Sequence, residues 1–196
     1  MLDTLTLENP TPALAAKPVG ALLAHFAEAL PWLTDRYGLV QTGVDKDSKE
    51  RYPQIYRNDG SRLTTDIRPN EAMGALCFFE HDGPALFESD DAGRGWWRYQ
   101  LALVVWANLP KIDPKRGYDF TEELAADVFQ RGLLASPLGF DLQPERIEFQ
   151  SERVFERYRW DPATHQLLLF PFTGFRIPFT VVAPDMMCRP AFAPLV

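Results

Sequence analysis

The sequence predicts an α+β protein: an antiparallel or mixed β-sheet with two main helices packed on one face, and an arm at each end. Three observations lead to this prediction. Residues 96–109 alternate like a long strand, two other segments repeat apolar side chains at helical spacing, and short extended segments between them end in turn residues. We therefore predict a single α+β domain at 17–182, an N-terminal arm at 1–16 and a C-terminal arm at 183–196.

The segment Trp96–Leu109 is predicted to be the central strand of the sheet. Successive side chains of a strand point to opposite faces, so the residues of this segment divide into two sets. One set is almost wholly apolar: Trp97, Tyr99, Leu101, Leu103, Val105 and Leu109. The other set, which includes Arg98, Gln100 and Trp106, mixes polar and apolar side chains. This pattern is typical of a strand with one face on a core.

The first helix is predicted to run from Pro18 to Leu30, because proline suits the first turn of a helix. Its apolar side chains recur at helical spacing: Val19, Leu22, Leu23, Phe26 and Leu30. We expect Pro31 to end or kink this helix, and Gly38 to close the segment in a C-cap-like position.

An antiparallel meander is predicted between this helix and the central strand. Its extended segments are expected at 39–44, 54–57, 63–66, 75–80 and 85–88. Asn58-Asp59-Gly60 is a strong tight-turn signal, and His81-Asp82-Gly83-Pro84 is interpreted as the turn of a second hairpin. Asp90-Asp91-Ala92-Gly93 is expected to turn the chain into the central strand.

A second helix, Thr121–Leu133, is predicted after a polar loop at 110–117. Asp119 is expected to cap it, with Glu122 completing a capping box. Its apolar stripe is Leu124, Val128 and Phe129. Gly132 is expected to end it.

The last part of the domain is predicted to be a hairpin. Residues 146–158 fit both a strand and a helix, and we favour the strand because Trp160-Asp161-Pro162-Ala163 is a turn and residues 166–182 are plainly extended. Pro171 and Pro178 cannot donate to a β-ladder, so this last strand is expected at an edge or at a bulge.

Composition limits the classes of function that fit. The net charge is −7, which argues against a broad nucleic-acid-binding surface, because such surfaces are basic. The chain has two cysteines, which fit reduced thiols better than a disulfide framework. We expect no signal peptide and no membrane-spanning segment, because no basic segment with an apolar run begins the sequence and no apolar run approaches about 18 residues.

No stretch carries a recognisable catalytic motif, and we expect no catalytic, cofactor-binding or metal-binding residues and no cofactor. Cys77, Glu80, His81 and Asp82 lie close together in the sequence and are conceivable metal ligands. On a strand Cys77 and Glu80 point to opposite faces, however, so a hairpin turn is the favoured interpretation of this stretch.

Charged residues near the end of the domain form a possible subunit interface. Glu-Arg pairs recur at 145/146, 152/153 and 156/157. One interpretation is a solvated face with weak local ion pairs. The other is a mixed-charge rim that, with the basic loop, contacts a neighbouring subunit. The candidate interface residues are Arg146, Glu152, Arg153, Glu156, Arg157, Lys111, Lys115 and Arg116.

The order of these elements resembles the tail terminator proteins of long-tailed phages and related contractile particles. The resemblance covers about residues 17–182: an amphipathic helix, a meander, a long strand at 99–106, a polar loop, a second helix, and a closing hairpin with a corner at Tyr158-Arg159-Trp160-Asp161. The meander at 45–90 is longer than in the smaller terminators, and the two arms are additional.

The resemblance implies a non-enzymatic virion protein that forms a hexameric ring. Such a ring caps the tail tube, stops its polymerisation and connects it to neck or head-connector proteins, with DNA passing through the lumen without specific binding and no membrane contact. It implies a location in the cytoplasm of the producing cell during assembly and then in the particle. The alternative, from the residues alone, is a small cytoplasmic α+β enzyme or ligand-binding domain with a pocket assembled by the fold.

Overall fold

A computed structural model gives the fold and describes residues 5–7, 15–44, 49–56, 64–135, 138–158 and 169–184. Its strands are β1 Leu5–Leu7, β2 Asp35–Leu39, β3 Gln41–Val44, β4 Arg51–Tyr56, β5 Thr64–Asp66, β6 Ala75–His81, β7 Leu86–Ser89, β8 Gly95–Asn108, β9 Asp141–Pro144 and β10 Phe172–Pro184. Its helices are α1 Ala16–Ala29, α2 Leu109–Ile112, α3 Thr121–Asp127, which continues as a π-helix over Val128–Leu134, and α4 Ser151–Val154. The α+β class is confirmed.

The main sheet has seven strands in the order β1-β2-β6-β8-β10-β9, with β7 also paired to β8. The pairs β1/β2 and β2/β6 are parallel and the remaining pairs are antiparallel, so the sheet is mixed. A separate three-stranded sheet has the order β3-β4-β5. Its β4 and β5 are antiparallel neighbours, as predicted for the segments on either side of the turn signal at 58–60, which itself lies outside the described residues.

The predicted central strand is confirmed as β8. It pairs with β10 from Trp96 to Asn108 and, on its other side, with β6 and then β7. Both of its faces are buried in its second half, where Leu103 and Val104 are each 0% exposed on opposite sides of the sheet. The mixed set of side chains thus has two parts: Gln100 is exposed, whereas Val104 and Trp106 belong to a second core.

The two main helices cover one face of the sheet, as predicted, and form the first core. α1 contributes Val19, Leu22, Leu23 and Phe26, and α3 with its π-helical continuation contributes Leu124, Ala125, Val128 and Leu133. Gly132 does not end the second helix, which runs on to Leu134. A Cβ at Gly132 would lie 3.1 Å from side-chain atoms of Leu30 and Phe26, so this glycine permits close packing against α1.

The opposite face is covered by the small sheet and by the segment around α4. Ile55 of β4 and Ile67 after β5 pack there with Val154, Phe155 and Tyr158 against Phe78 and Trp106 of the main sheet. The favoured strand assignment of 146–158 was therefore wrong over 151–157, which is a short helix followed by a turn. The conformation of this segment follows the helical spacing of its aromatic and aliphatic residues and not the alternation typical of a strand.

Residues 75–89 differ from the predicted hairpin. β6 and β7 do not pair with each other; both run antiparallel to β8 on the same side of it, and Asp82 N–H continues the ladder to Gln100 O at 2.9 Å. The chain therefore does not reverse at His81–Pro84. It continues in the same direction along β8, and the ladder is interrupted there because Pro84 has no N–H to donate. The reversal comes later, at Asp90–Gly93, as predicted.

Three further positions differ from the sequence-based expectations. Gly38 lies inside β2 and is not a helix cap, because α1 already ends at Ala29. Pro178 lies in an interior strand, where its carbonyl accepts from Glu145 N–H at 3.0 Å, so its nitrogen faces the β9 side and not the long ladder with β8. The N-cap residue of α3 is Phe120, which makes no side-chain cap bond, so the predicted capping role of Asp119 was wrong. Asp119 lies one residue earlier, where its Oδ1 accepts from Thr121 N–H at 2.9 Å.

The predicted arms are described only in part. Leu5–Leu7 forms the outermost strand of the main sheet, and Ala15 is buried in the first core, so elements of the 1–16 segment join the domain. Residues 183 and 184 end β10. The other residues of the C-terminal arm, 185–196, lie outside the described residues, as do 1–4 and 8–14.

Replacing Leu103 by aspartate tests the central position of β8. The Leu103→Asp chain is expected to lose cooperative folding, because a buried, unpaired carboxylate costs several kcal/mol of a total stability of about 5–15 kcal/mol. Gln100→Asp, an exposed site on the same strand, is the matched control and should melt near the wild type. Thermal unfolding followed by circular dichroism distinguishes them, and a soluble, cooperatively melting Leu103→Asp protein would contradict the assignment.

Candidate functional site

A cluster of charged side chains surrounds Arg176 on the second face of the main sheet. Arg176 is 2% exposed, and its Nη2 donates to Asp82 Oδ1 at 2.6 Å and to Glu80 Oε1 at 3.1 Å. Its Nη1 donates to Glu148 Oε2 at 3.3 Å. Successive side chains of a strand point to opposite faces of the sheet. Arg176 of β10 and Glu80 of β6 therefore lie on this face, whereas their apolar neighbours in the sequence lie on the opposite face, in the first core.

Other charged groups extend the cluster toward the surface. Tyr158 donates to Glu80 Oε2 at 2.7 Å, and Arg157 donates to Asp82 Oδ1 at 3.2 Å and to the His81 carbonyl. Salt bridges at the rim involve three further side chains: Arg146 at 2.8 Å and Arg153 at 3.6 Å from Glu148, and Glu156 at 3.5 Å from Arg176. We call this set the ion network: Glu80, Asp82, Glu148, Glu156, Arg146, Arg153, Arg157, Arg176 and Tyr158.

Burial changes the proton affinities within the ion network. Loss of solvent raises the pKa of Glu80 above its usual 4.5, although Tyr158 and Arg176 act against this shift. The same loss of solvent and the neighbouring Glu80 carboxylate raise the pKa of Tyr158, so its hydroxyl remains a hydrogen-bond donor. Burial lowers the pKa of Arg176, but its hydrogen bonds to Asp82 and its attraction to Glu80 outweigh this, so its pKa is raised and it stays charged.

The structure separates the predicted interface residues into two places. Arg146, Arg153, Glu156 and Arg157 belong to the ion network, whereas Glu152 is exposed beside it. The basic loop lies elsewhere. There Arg116 pairs with Asp113 and Glu123, Lys111 donates to the Ala72 carbonyl at 2.6 Å, and Lys115 is exposed.

The centre of the ion network was missed in the sequence, although a signal for it existed. Glu80 and Arg176 are single charges of opposite sign inside otherwise apolar strand segments. Two such isolated charges indicate a buried pair, because a lone charge is rarely buried without a partner.

The four residues considered as metal ligands do not converge. Cys77 lies in the first core and Glu80 in the ion network, on opposite faces of β6, as the alternation argument predicted. Burial raises the pKa of the Cys77 thiol to about 12. Among the residues that the structure describes, no group of three or more histidine, cysteine, aspartate or glutamate side chains is placed to hold a metal ion.

An open groove lies beside the C-terminal end of β8, and we call it the distal groove. Its volume is about 690 Å³. Its apolar wall is made by Phe149, Leu169, Phe170 and Phe172, of which Leu169 is 65% exposed. Its polar wall is the start of α3, where Asp119, Glu122 and Glu123 give it an acidic character. The Thr121 hydroxyl donates to the Thr173 hydroxyl at 2.7 Å, which holds α3 against β10 at this point.

A second groove, the tip groove, lies beside the opposite end of β8 and has a volume of about 820 Å³. It is lined by Trp96, Leu138, Phe140, Val182 and Pro184, with Asp90, Arg94 and Asp141 at its polar side. The Trp96 indole donates to Glu88 Oε2 at 2.7 Å, and Arg98 donates to Glu88 Oε1 at 3.0 Å. These bonds fix the aromatic side chain that begins the central strand.

Neither a scan of protein-family models nor a search of curated proteins finds a match to this chain. No helix in the part of the chain that the structure describes has the length and apolar character needed to cross a membrane.

Removing the Arg176 cation is expected to destabilise the fold strongly. Arg176→Met leaves Glu80 and Glu148 buried without their shared partner, which costs about 3–5 kcal/mol. Arg153→Met is the matched control: Arg153 is 58% exposed and 3.6 Å from the same Glu148, so its loss should cost about 0–1 kcal/mol. Urea unfolding measures the free energy of unfolding of both variants. An equal loss of stability in the two would show that burial does not determine how much each arginine contributes.

The pH dependence of stability should report the raised pKa of Glu80. A carboxyl with a raised pKa in the folded state contributes stability that is present below its usual 4.5 and lost as pH rises through the folded pKa. The wild-type free energy of unfolding, minus that of Glu80→Gln, should therefore fall as pH rises through this window. Denaturant titrations at a series of pH values measure it. A difference that grows with pH would mean that the neighbouring guanidinium groups lower the pKa of Glu80 by more than burial raises it.

Proposed function

We propose that this protein is a structural subunit of a phage tail or a related contractile particle: a tail terminator that forms a ring, caps the tail tube and connects it to the neck. One observation carries the proposal beyond the resemblance of element order. The two open grooves lie at opposite ends of β8, beside Trp96 and beside Asn108, roughly 40 Å apart at the usual rise of a strand.

Two different grooves at opposite ends suit a subunit with a different partner on each side. The distal groove is aromatic with an acidic wall, and the tip groove is more apolar with both signs of charge. A terminator must bind the end of a tube on one side and a neck protein on the other, and must not offer the tube the same surface twice. Chemically distinct grooves meet this requirement, because specificity is a difference between affinities.

The position of the buried ionisable groups favours assembly over catalysis. Glu80, Tyr158 and Cys77 have raised pKa values, but they line neither groove. An enzyme uses such groups where a substrate can reach them. In this protein the ion network instead attaches the α4 segment to the sheet. The net charge of −7 fits a lumen that passes DNA without holding it.

The structure favours only some of the charged residues that were considered for a subunit interface. Arg157 and Arg146 already bind carboxylates of their own chain, so a contact with a neighbouring subunit would compete with the ion network. The exposed Glu152 and Lys115 are not part of that network and remain the better candidates for the polar rim of a ring.

Deleting the gene tests the proposal in the cells that make the particle. Without a terminator the tube has no stop, so negative-stain electron microscopy should show tubes of uncontrolled length that are not joined to heads. Supplying the wild-type chain in trans should restore the length. Tubes of normal length in its absence, with no copy of the protein in purified particles, would contradict the proposal.

The distal groove is tested by Leu169→Ser, because this side chain is 65% exposed and contributes little to the core. We expect the variant to fold normally and to produce either overlong tubes or tails without heads, according to which partner the groove binds. Leu134→Ser, at a side chain that is 59% exposed but lines neither groove, is the matched control and should assemble normally. Particles of the Leu169→Ser variant that match the wild type would exclude the groove as a contact.

A further inference from the structure

The main sheet has two short outer strands at the tip end. β7 pairs with β8 at Leu86–Ser89, and β9 pairs with β10 at Asp141–Pro144. Within the described residues, each of these strands pairs on one side only, so at this end the strand order is β7-β8-β10-β9 with both outer edges open. Open strand edges are templates for pairing with another chain.

The ladders show which backbone groups point outward from β7. Asp82 N–H bonds to Gln100 O, so even-numbered residues of β8 face the β6 and β7 side. Their register partners Leu86 and Glu88 therefore bond to β8, and the N–H and C=O groups of Phe87 and Ser89 point away from the sheet. The side chain of Phe87 is 53% exposed as well.

The same reasoning applies to β9. Arg176 exchanges both backbone hydrogen bonds with Glu148, so even-numbered residues of β10 face the β9 side. Gln143 and Asp141, opposite Thr180 and Val182, therefore bond to β10, and the N–H and C=O groups of Leu142 point outward.

The two edges are complementary in direction and in face. β7 and β10 both run antiparallel to β8, and β9 runs antiparallel to β10, so β9 runs opposite to β7. A rotation about an axis along the strands would therefore bring β9 of one copy beside β7 of the next as an antiparallel pair. Phe87 lies opposite Trp97 and Leu142 opposite Val181, so both side chains are on the helix-covered face and can meet across the pair.

We propose that the outer edge of β7 in one copy pairs with the outer edge of β9 in the next, so that the main sheet continues across the subunit boundary. This inference rests on the proposed ring and names its lateral contact. The contact is heterologous, because it uses two different patches, and such contacts close into rings when the rotation per subunit allows.

Features of the chain itself limit this pairing to a short stretch. The outward carbonyl of His81, at the end of β6 on the same edge, already accepts from Arg157, and Pro144 has no N–H to offer at the end of β9. Only a few backbone bonds per subunit are then available, and each has a small net value in water. A weak lateral contact fits a subunit that remains monomeric in dilute solution and forms a ring when a tube end holds several copies together.

Cysteine crosslinking distinguishes this pairing from the alternatives. Phe87→Cys and Leu142→Cys are prepared singly and together in a Cys188→Ser background, since Cys77 is buried. Rings are formed at high protein concentration or on tube ends, checked by electron microscopy, and treated with a short bismaleimide, which tolerates a register offset. The two single variants mixed should give crosslinked dimers, the double variant a ladder up to the ring, and each single variant alone no dimer.

The outcomes separate this inference from the proposed function. Rings without crosslinks, or single variants that crosslink to themselves, overturn the edge pairing; in the first case the ring proposal stands. A protein that forms no ring under either condition overturns both.

Backbone pairing has its own test in Phe87→Pro against Phe87→Ala. The two variants lack the same aromatic ring, but only proline removes the outward N–H, and neither disturbs a bond to β8. Both should melt alike as monomers. The proline variant should need about tenfold more protein to form rings, as expected from the loss of a hydrogen bond worth about 1 kcal/mol or more. Equal assembly of the two variants overturns backbone pairing at this edge.

Discussion

The buried guanidinium of Arg176 is the interaction on which the second layer of the protein depends. It connects β10 to Glu80 on β6 and to Glu148 beside α4, so one cation joins three segments that are far apart in the chain. The ladders that join β8 to β6 and to β10 consist of backbone hydrogen bonds and do not use this side chain. The segment carrying Val154, Phe155 and Tyr158, however, is attached to the sheet through this charge cluster and a few apolar contacts.

A buried ion pair of this kind is not a simple source of stability. Desolvation of several charges offsets much of their attraction, and an apolar replacement of the whole set is often as stable. What the ion network supplies is position. The apolar contacts of the α4 segment allow several ways of packing, whereas a guanidinium that must meet three carboxylates allows few. The distal groove benefits directly, because Phe149, one of its walls, follows Glu148 in the chain.

Sequence periodicity was sufficient for elements that carry a single, strong pattern. The central strand, the two main helices and the antiparallel pair around 58–60 were all predicted from local spacing. Gly132 and Gly38 were misplaced because a glycine that permits close packing, or that lies in a strand, looks in the sequence like one that ends a helix. Residues 151–157 were assigned wrongly because their partners are on other strands.

The candidate site was less accessible to sequence reasoning than the fold. The Glu-Arg repeats were visible, but the buried centre of the ion network was not, because its charges come from distant strands. Arg157, for example, donates to Asp82, which lies 75 positions earlier in the chain. The grooves arise where strand ends, helix starts and loops meet. No local spacing contains such a meeting, because it is set by the register of β8 against β6 and β10.

The late position of β10 in the chain has a consequence for how the subunit is made. β10 is an interior strand, and β8 has no neighbour on that side until residues 172–184 have been synthesised. Pairings between segments so distant in sequence form slowly, and until β10 pairs, one flank of the central strand is bare. A growing chain is therefore vulnerable to aggregation until β10 has left the ribosome. Both open grooves also include residues of β10, so a nascent subunit cannot engage partners before its own core has closed.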